Sequence, residues 1–156
     1  QFLILKPYQS QGHGSTLYRT LFNNLLVRDD VTEITVEDPN EAFQDLRDKC
    51  DLRLLMGKKV FDGVVAPVGG EVVREVRRRF KMSKRQVERC MEMVLLKNLN
   101  EKSVDAIKAF RLQVKGRVYR QNEEALAALD VATRKEKLAE TYRNIEEEYY
   151  RLLQLV

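Results

Sequence analysis

The first third of the chain combines two hydrophobic patterns. Residues 1–5 are rich in Phe, Leu and Ile, and apolar and polar residues alternate over 31–38, which predicts two strands. Between them, apolar residues recur at helical spacing and predict a helix. A glycine-containing loop at 9–15 joins the first strand to this helix, so the first 36 residues predict a βαβ-like unit. The inward face of the helix is expected to carry Leu17, Leu21, Phe22, Leu25 and Leu26.

A second helix is predicted over residues 40–55, and Gly57 is expected to end it. Residues 59–68 predict a further strand or hairpin. The pair Gly69 and Gly70 predicts a flexible joint, beyond which the composition changes. The inward residues of the second helix are expected to be Phe43, Leu46 and Cys50.

Beyond this joint, nearly the whole sequence has helical periodicity. A short basic helix is predicted over 72–80, and Ser83 with Gln86 forms a capping-box pattern that starts the next helix. Another helix follows the polar break at 98–100, and a last one is expected to start near Glu123. Three apolar faces are predicted: Val87, Cys90, Met91, Val94 and Leu95; Ile107, Phe110, Val114 and Val118; and a heptad seam of Leu138, Tyr142, Ile145, Tyr149, Leu152 and Val156, suited to a helical hairpin or a partner helix.

These patterns predict an α+β fold, in which strands and helices over 1–70 precede an all-α domain over 71–156. Apolar residues make up 44% and charged residues 33% of the 156 residues, which is typical of a globular, helix-rich protein. No stretch approaches the roughly 18 apolar residues of a membrane helix, and the first residues do not form a signal peptide.

The cysteines and the single histidine limit the possible chemistry. Cys50 and Cys90 lie far apart without a CxxC pattern, which favours two reduced thiols in packed helices of an intracellular protein over a disulfide or metal site. Because His13 is the sole histidine, no metal site is expected.

The net charge of +4 is mild but unevenly distributed. Between Arg74 and Arg85, seven basic residues accompany one acid, Glu75. Such a run is either a solvated helix face or a patch for an anionic partner.

The glycine loop offers a chemical interpretation. Gly12 and Gly14 let the backbone approach a ligand, and the following helix N-terminus favours an anion. The loop is therefore either a phosphate cradle or an ordinary tight connection. It lacks the lysine of a Walker A loop and the third glycine of a Rossmann fingerprint, since position 17 is Leu. His13 lies inside the loop and is expected to be structural or at the phosphate edge rather than a general base.

The acidic pair Glu37-Asp38 ends the second predicted strand. A carboxylate at this strand end could accept the proton that a lysine ammonium loses before it attacks a thioester. The alternative is that both acids only open the following helix.

Two blocks of sequence carry a resemblance to a known family. Gln9-x-x-Gly12-x-Gly14 after a Phe-Leu-Ile strand resembles the acetyl-CoA motif of the GNAT acetyltransferase superfamily. The runs FLILKPYQSQGHGS and ITVEDPNEAFQDLRD are similar to the type B histone acetyltransferase catalytic subunits, and most similar to the fungal ones. The resemblance covers about residues 1–65, and the helical remainder has no sharp motif.

The resemblance implies a fold and a set of site residues. It implies the C-terminal half of a GNAT acetyltransferase fold, a mixed sheet with helices, followed by an all-α C-terminal domain. The general base would be Glu37, with Asp38 as a second acidic candidate, and Asn40 would contact coenzyme A. The backbone of Phe2, Leu3 and Ile4 would bind the pantetheine arm, and the pyrophosphate would be cradled by Gln9, Ser10, Gln11, Gly12, His13, Gly14 and Ser15.

The implied activity is transfer of an acetyl group from acetyl-CoA to lysines of the N-terminal tail of free, newly made histone H4. The implied partner is a WD-repeat histone-binding subunit, with no membrane or direct DNA binding, in the nucleus and cytoplasm. Gln1 would lie in a central strand, so a C-terminal fragment of a larger enzyme is expected. Two alternatives stay open: a GNAT N-acetyltransferase with another amine acceptor, and a non-catalytic helical interaction fragment.

Overall fold

A computed structural model describes residues 2–156. Within this range the chain forms seven α-helices and one 3-10 turn, Lys6–Tyr8. The helices are α1 (His13–Leu26), α2 (Glu41–Gly57), α3 (Gly70–Phe80), α4 (Lys84–Lys97), α5 (Val104–Gln121), α6 (Glu123–Ala127) and α7 (Val131–Leu153).

The predicted mixed sheet is not formed, because residues 2–156 contain no strand. One isolated parallel bridge pairs Ile34 with Met82, where the Ile34 N–H donates to the Lys81 carbonyl at 2.6 Å. A strand requires neighbouring backbone to pair with its N–H and C=O groups, and a short apolar run alone does not supply it. The α+β assignment, with half of a GNAT sheet, is therefore wrong for the described chain, which is helical.

Residues 59–68 are turns and bends rather than the predicted strand or hairpin. Lys59 and Gly63 have φ values of 54° and 74°, and an extended strand requires negative φ. Phe61 nevertheless is buried, which explains the apolar signal of this segment.

The chain divides into two compact units, and the division falls inside α4. The first unit comprises the chain up to Asp62, Gly69–Cys90 and Val156. In this unit α1 packs against α2. Its buried apolar side chains are Tyr18, Phe22, Cys50, Leu52, Leu55, Phe61, Val73, Val76, Phe80, Met82, Val87 and Cys90.

The second unit comprises Gly63–Val68 and Met91–Leu155, and in it α5 packs against α7. The rings of Phe110 and Tyr142 meet edge to face with centroids 6.4 Å apart. The predicted apolar face of the last helix is confirmed at Tyr142, Tyr149 and Leu152, which are buried, whereas Leu138 and Ile145 are half-buried and Val156 lies beyond the end of α7. The buried apolar side chains of the second unit are Met91, Met93, Val94, Leu95, Leu96, Phe110, Val114, Val118, Leu126, Tyr142, Tyr149 and Leu152.

The predicted inward face of α1 is confirmed at Phe22 and wrong at Leu17 and Leu21. In α1 the buried residues are Tyr18 and Phe22, whereas Leu17 and Leu21 are exposed. The inward stripe is therefore shifted by one residue and includes Gly14, where an added Cβ would lie 2.6 Å from Leu46 Cδ1 of α2.

The predicted last helix is also split in two. The Asp130 side chain accepts from the N–H groups of Ala132 and Thr133 at 2.9 and 3.0 Å and caps the start of α7. The N-cap therefore separates α7 from α6.

The capping box at α4 forms only in part. The Gln86 N–H donates to Ser83 Oγ at 3.3 Å, as predicted. The Gln86 side-chain amide instead donates to Asp48 and Asp51.

Candidate functional site

The loop before α1 is held by its own side chains. Gln9 Nε2 donates to the Ile4 carbonyl at 2.8 Å, and Gln11 Nε2 donates to the Pro7 carbonyl at 2.9 Å. Ser10 has a φ of 60°. The two glutamines therefore shape the loop and turn the chain into α1.

Gly12 is the N-cap of α1, with a φ of 84°. The Thr16 N–H donates to the Gly12 carbonyl at 3.0 Å and closes the first helical turn. The N–H groups of the first turn, from His13 to Ser15, have no acceptor within the helix. Such groups are suited to bind an anion. The His13 ring meets Tyr8 edge to face, with centroids 6.4 Å apart.

The two loop glycines are required for different reasons. A Cβ on Gly12 would meet no atom within 4 Å, so only its left-handed φ favours glycine there. A Cβ on Gly14 would lie 2.6 Å from Leu46 Cδ1. Gly14 therefore permits the close approach of α1 to α2, whereas Gly12 sets the direction of the loop.

Residues 2–4 do not form the strand on which the predicted pantetheine contact was based. The Phe2 ring packs edge to face on Phe43, with centroids 4.9 Å apart, whereas Leu3 is 65% exposed. This contact brings the segment to the first turn of α2, beside Asn40. Binding of the pantetheine arm by Phe2, Leu3 and Ile4 stays a prediction.

The acidic pair lies directly before α2. Glu37 and Asp38 are exposed, and Asp38 has a φ of 43°. Asn40 is the N-cap of α2, since its Oδ1 accepts from the Phe43 N–H at 2.9 Å. The structure thus gives Asn40 a structural role and leaves both carboxylates accessible to a substrate.

A groove of about 480 Å³ lies between α1 and α2, starting at the loop. It is positively charged, because Arg19, Lys49 and Arg53 line it together with Gly12 and Ser15. Its other lining residues are Thr16, Tyr18, Phe22, Asn23, Cys50, Asp51 and Leu54. Burial raises the pKa of the Cys50 thiol, which disfavours a thiolate nucleophile in the groove.

The sequence patterns did not predict two clusters of buried polar side chains, because charged residues are normally exposed. We call the first the aspartate cluster. It contains Tyr18, Arg47, Asp48, Asp51, Gln86 and Arg89.

In the aspartate cluster, Gln86 Nε2 bridges Asp48 and Asp51 at 3.0 and 2.9 Å. Arg89 Nε binds Asp48 at 2.7 Å, whereas Arg47 Nε reaches Asp51 only at 3.6 Å. Burial raises the pKa of Asp51 to about 7, against the opposing charge of Arg47 and with a smaller contribution from the charge of Asp48. A signal was present in the sequence: Asp48, Leu52 and Leu55 share one helical stripe.

The second cluster, which we call the arginine cluster, contains Glu92, Arg117, Gln121 and Tyr149. Arg117 Nε and Nη2 donate to the two carboxylate oxygens of Glu92, each at 2.8 Å. Tyr149 donates its hydroxyl hydrogen to Glu92 at 2.7 Å. Arg117 lies between Val114 and Val118 on the buried face of α5. This position in the apolar pattern could have predicted that Arg117 is buried.

Within residues 2–156, no group of three or more His, Cys, Asp and Glu side chains could hold a metal ion. In the same range no helix is long and apolar enough to cross a membrane. Both cysteines are free and buried.

The chain is similar to one family and to a set of curated proteins. The family model described as "Fungal HAT1, C-terminal" matches residues 48–100. A protein of Cryptococcus neoformans named "Histone acetyltransferase type B catalytic subunit" is 46% identical over 162 residues, which cover 98% of this chain and 39% of that protein. Proteins of the same name from Candida albicans and Gibberella zeae are 44% and 34% identical, over 98% and 100% of this chain and 38% and 39% of their own lengths. The chain thus spans about two fifths of the curated relatives it matches.

Proposed function

Because the chain belongs to the family of type B histone acetyltransferase catalytic subunits, we propose that it is part of an acetyl-CoA-dependent lysine acetyltransferase. In this proposal it contributes part of the acetyl-CoA site and the general base. The acceptor is a lysine in the N-terminal tail of free histone H4, and a WD-repeat subunit presents the histone. These finer assignments rest on the resemblance of the two sequence blocks.

The observation that best supports the proposal is the loop that ends at Gly12. Its left-handed φ of 84° turns the chain so that the free N–H groups of α1 follow the loop directly. These donors, from His13 to Ser15, would bind the pyrophosphate. The side-chain amides of Gln9 and Gln11 would keep the loop in shape, since both donate to loop carbonyls.

The groove between α1 and α2 supports the same assignment. Arg19 and Lys49 provide positive charge beside Ser15, and coenzyme A carries several phosphate charges. Residues 2–4 fit the proposed contact with the pantetheine arm less well, because the Ile4 carbonyl already accepts a hydrogen bond from Gln9. Binding of the pantetheine arm there would require this hydrogen bond to break.

Acetyl-CoA would supply the acetyl thioester. The chain's own contribution to the chemistry would be Glu37, whose exposed carboxylate can take the proton that the lysine ammonium must lose. Asp38 beside it would attract the cationic histone tail, and Asn40 would fix the start of α2 while contacting the coenzyme.

Titration calorimetry with acetyl-CoA tests the cofactor assignment. The protein used should have the full length of the relatives, since the chain spans 39% of the first of them. We expect saturable binding at micromolar concentration. An absence of heat at that concentration and above would exclude both acetyltransferase hypotheses and favour the interaction fragment.

The base assignment is tested with Glu37→Gln in the same protein. We expect kcat to fall about 10²-fold or more with nearly unchanged acetyl-CoA affinity, because the substitution removes the proton acceptor and little else. Glu41→Gln, four residues later and also exposed, is the matched control and should keep full turnover. An unchanged kcat in Glu37→Gln would refute the assignment, and a loss in Asp38→Asn instead would move the base to Asp38.

A competition between an H4 tail peptide and a small polyamine tests the acceptor. We expect the higher kcat/KM for the peptide. Preference for the polyamine would support the alternative GNAT enzyme.

A further inference from the structure

The basic run of the sequence forms one side of a cleft. Val73, Val76 and Phe80 are buried and fix the orientation of α3. Arg74, Arg77 and Arg78 then line a cleft of about 220 Å³, whose other lining residues are Thr32, Glu33 and Met82. The helical spacing of i, i+3 and i+4 places the three guanidinium groups on one side of the helix.

Positive charge is in excess in this cleft. Among its lining residues the one acid is Glu33, which lies 3.5 Å from Arg77. The ion pair between Arg74 and Glu71, at 3.7 Å, joins two largely exposed side chains, so it is weak. Among the residues that line the cleft, three arginines thus accompany one carboxylate, that of Glu33.

A second observation, at Arg77, also indicates a binding site. Its Nε–H is buried and has no hydrogen-bond partner among the described residues. A buried donor without an acceptor is costly, and native structures rarely leave one unsatisfied. An acceptor from outside the chain would remove this cost.

The size and surroundings of the cleft indicate what kind of anion it takes. At about 220 Å³ it lies below the usual range of small-molecule pockets, roughly 300–1,000 Å³, but has room for an acidic side chain. Arginine binds carboxylates through two parallel N–H donors.

A nucleic acid fits this surface less well. Its continuous phosphate charge would pass the carboxylates of Glu33, Glu71 and Glu75, which border the arginines. In residues 70–85 the one aromatic ring, Phe80, is buried, so bases would have no ring to stack on there. The charge pattern favours a short acidic segment.

We propose that this cleft is a docking site for an acidic segment of a partner protein, whose Asp or Glu side chains bind Arg74, Arg77 and Arg78. Arg77 receives a carboxylate at its buried Nε–H, and the two exposed arginines bind neighbouring acids. The site is separate from the proposed acetyl-CoA site in its residues and does not depend on it.

The test measures fluorescence anisotropy of a labelled ten-residue peptide, in which three glutamates are separated by serines, with the 156-residue chain. We expect Arg74→Glu combined with Arg78→Glu to weaken binding at least about tenfold, since two attractive contacts become repulsive. The matched control combines Lys135→Glu with Lys137→Glu on the exposed surface of α7, which lowers the net charge of +4 by the same four units. The control should bind within about twofold of the original chain.

Glu33→Gln provides a test in the opposite direction. It removes the acid that competes for Arg77, so the peptide should bind about threefold more tightly. Circular dichroism of every variant checks that the helices are retained.

Three outcomes would overturn the proposal. They are equal weakening in both double variants, an absence of binding by the original chain, and tighter binding of a ten-nucleotide single strand than of the peptide. The last would assign the cleft to a nucleic acid.

Discussion

The aspartate cluster and the arginine cluster are both buried polar networks, but their charges fit together differently. In the arginine cluster, Arg117 meets both oxygens of Glu92 at 2.8 Å. In the aspartate cluster, Asp51 lies 3.6 Å from Arg47 and shares the amide of Gln86 with a second carboxylate. A buried charge is therefore stable as an ion only where its partners satisfy it fully.

The difference gives the two clusters different roles in the fold. The paired charges of Glu92 and Arg117 connect α4 to α5 within the second unit. Asp51, with its raised pKa, takes up a proton near neutral pH instead. The first unit is therefore expected to respond to pH through one identifiable group.

The largest expected effect comes from breaking the well-fitted pair. Arg117→Met leaves Glu92 buried without its cation and should lower the free energy of unfolding by about 3–5 kcal/mol. Urea unfolding followed by circular dichroism measures the change, with Lys108→Met on the exposed side of α5 as the control. A loss no greater than that of the control would show that the pair is not what holds α4 to α5.

The next largest effect is the pH dependence of stability that arises from the Asp51 carboxyl. The pKa of Asp51 rises from 3.8 to about 7 on folding, so between these values the folded state holds a proton that the unfolded state has released. The stabilisation that this bound proton gives the folded state is complete below about pH 4 and is lost as the pH rises through about 7. The loss is at most about 4 kcal/mol, because one pKa unit corresponds to about 1.4 kcal/mol.

Asp51→Asn should flatten this pH dependence, since the amide does not titrate. Thermal unfolding of both proteins between pH 4 and 8 measures it, and the exposed substitution Asp105→Asn is the control. A profile that keeps its slope after Asp51→Asn would assign the titration to another group.

The smallest effect compares two hydroxyl groups. Tyr149 donates to Glu92 at 2.7 Å and accepts from Arg117 at 3.3 Å, whereas Tyr18 donates to Asp51 at 2.9 Å. Tyr149→Phe should therefore cost about 1–2 kcal/mol and Tyr18→Phe about 0.5–1 kcal/mol of unfolding free energy. The reverse order would contradict the view that the arginine cluster is the more complete network.

The sequence predicted the helices better than the rest of the fold. The apolar stripe of α4, from Val87 to Leu95, is buried as predicted, because a 3.6-residue period is defined within one helix. The strands predicted at 1–5 and 31–38 are absent from residues 2–156 for the opposite reason: a strand depends on backbone partners that the local pattern does not contain. Among the described residues, Ile34 forms an isolated bridge with Met82.

The candidate site was predictable in its loop and not in its surroundings. Gly12 has the backbone conformation that the glycine pattern indicated. The cations of the groove, Arg19 and Lys49, come from two helices, and no local pattern relates them. The buried acids Asp48 and Asp51 were missed because their charge was taken as a sign of exposure.

The close approach of Gly14 to Leu46 limits how mutational data on the glycine loop can be interpreted. Because a methyl group at Gly14 would lie 2.6 Å from Leu46 Cδ1, any larger residue there requires the Leu46 side chain between α1 and α2 to shift. Lost activity at this position is thus no diagnosis of a lost contact with the coenzyme. Gly12 has open space around it, but its φ of 84° strains any other residue there, so a loss of activity at either glycine can arise from the fold alone.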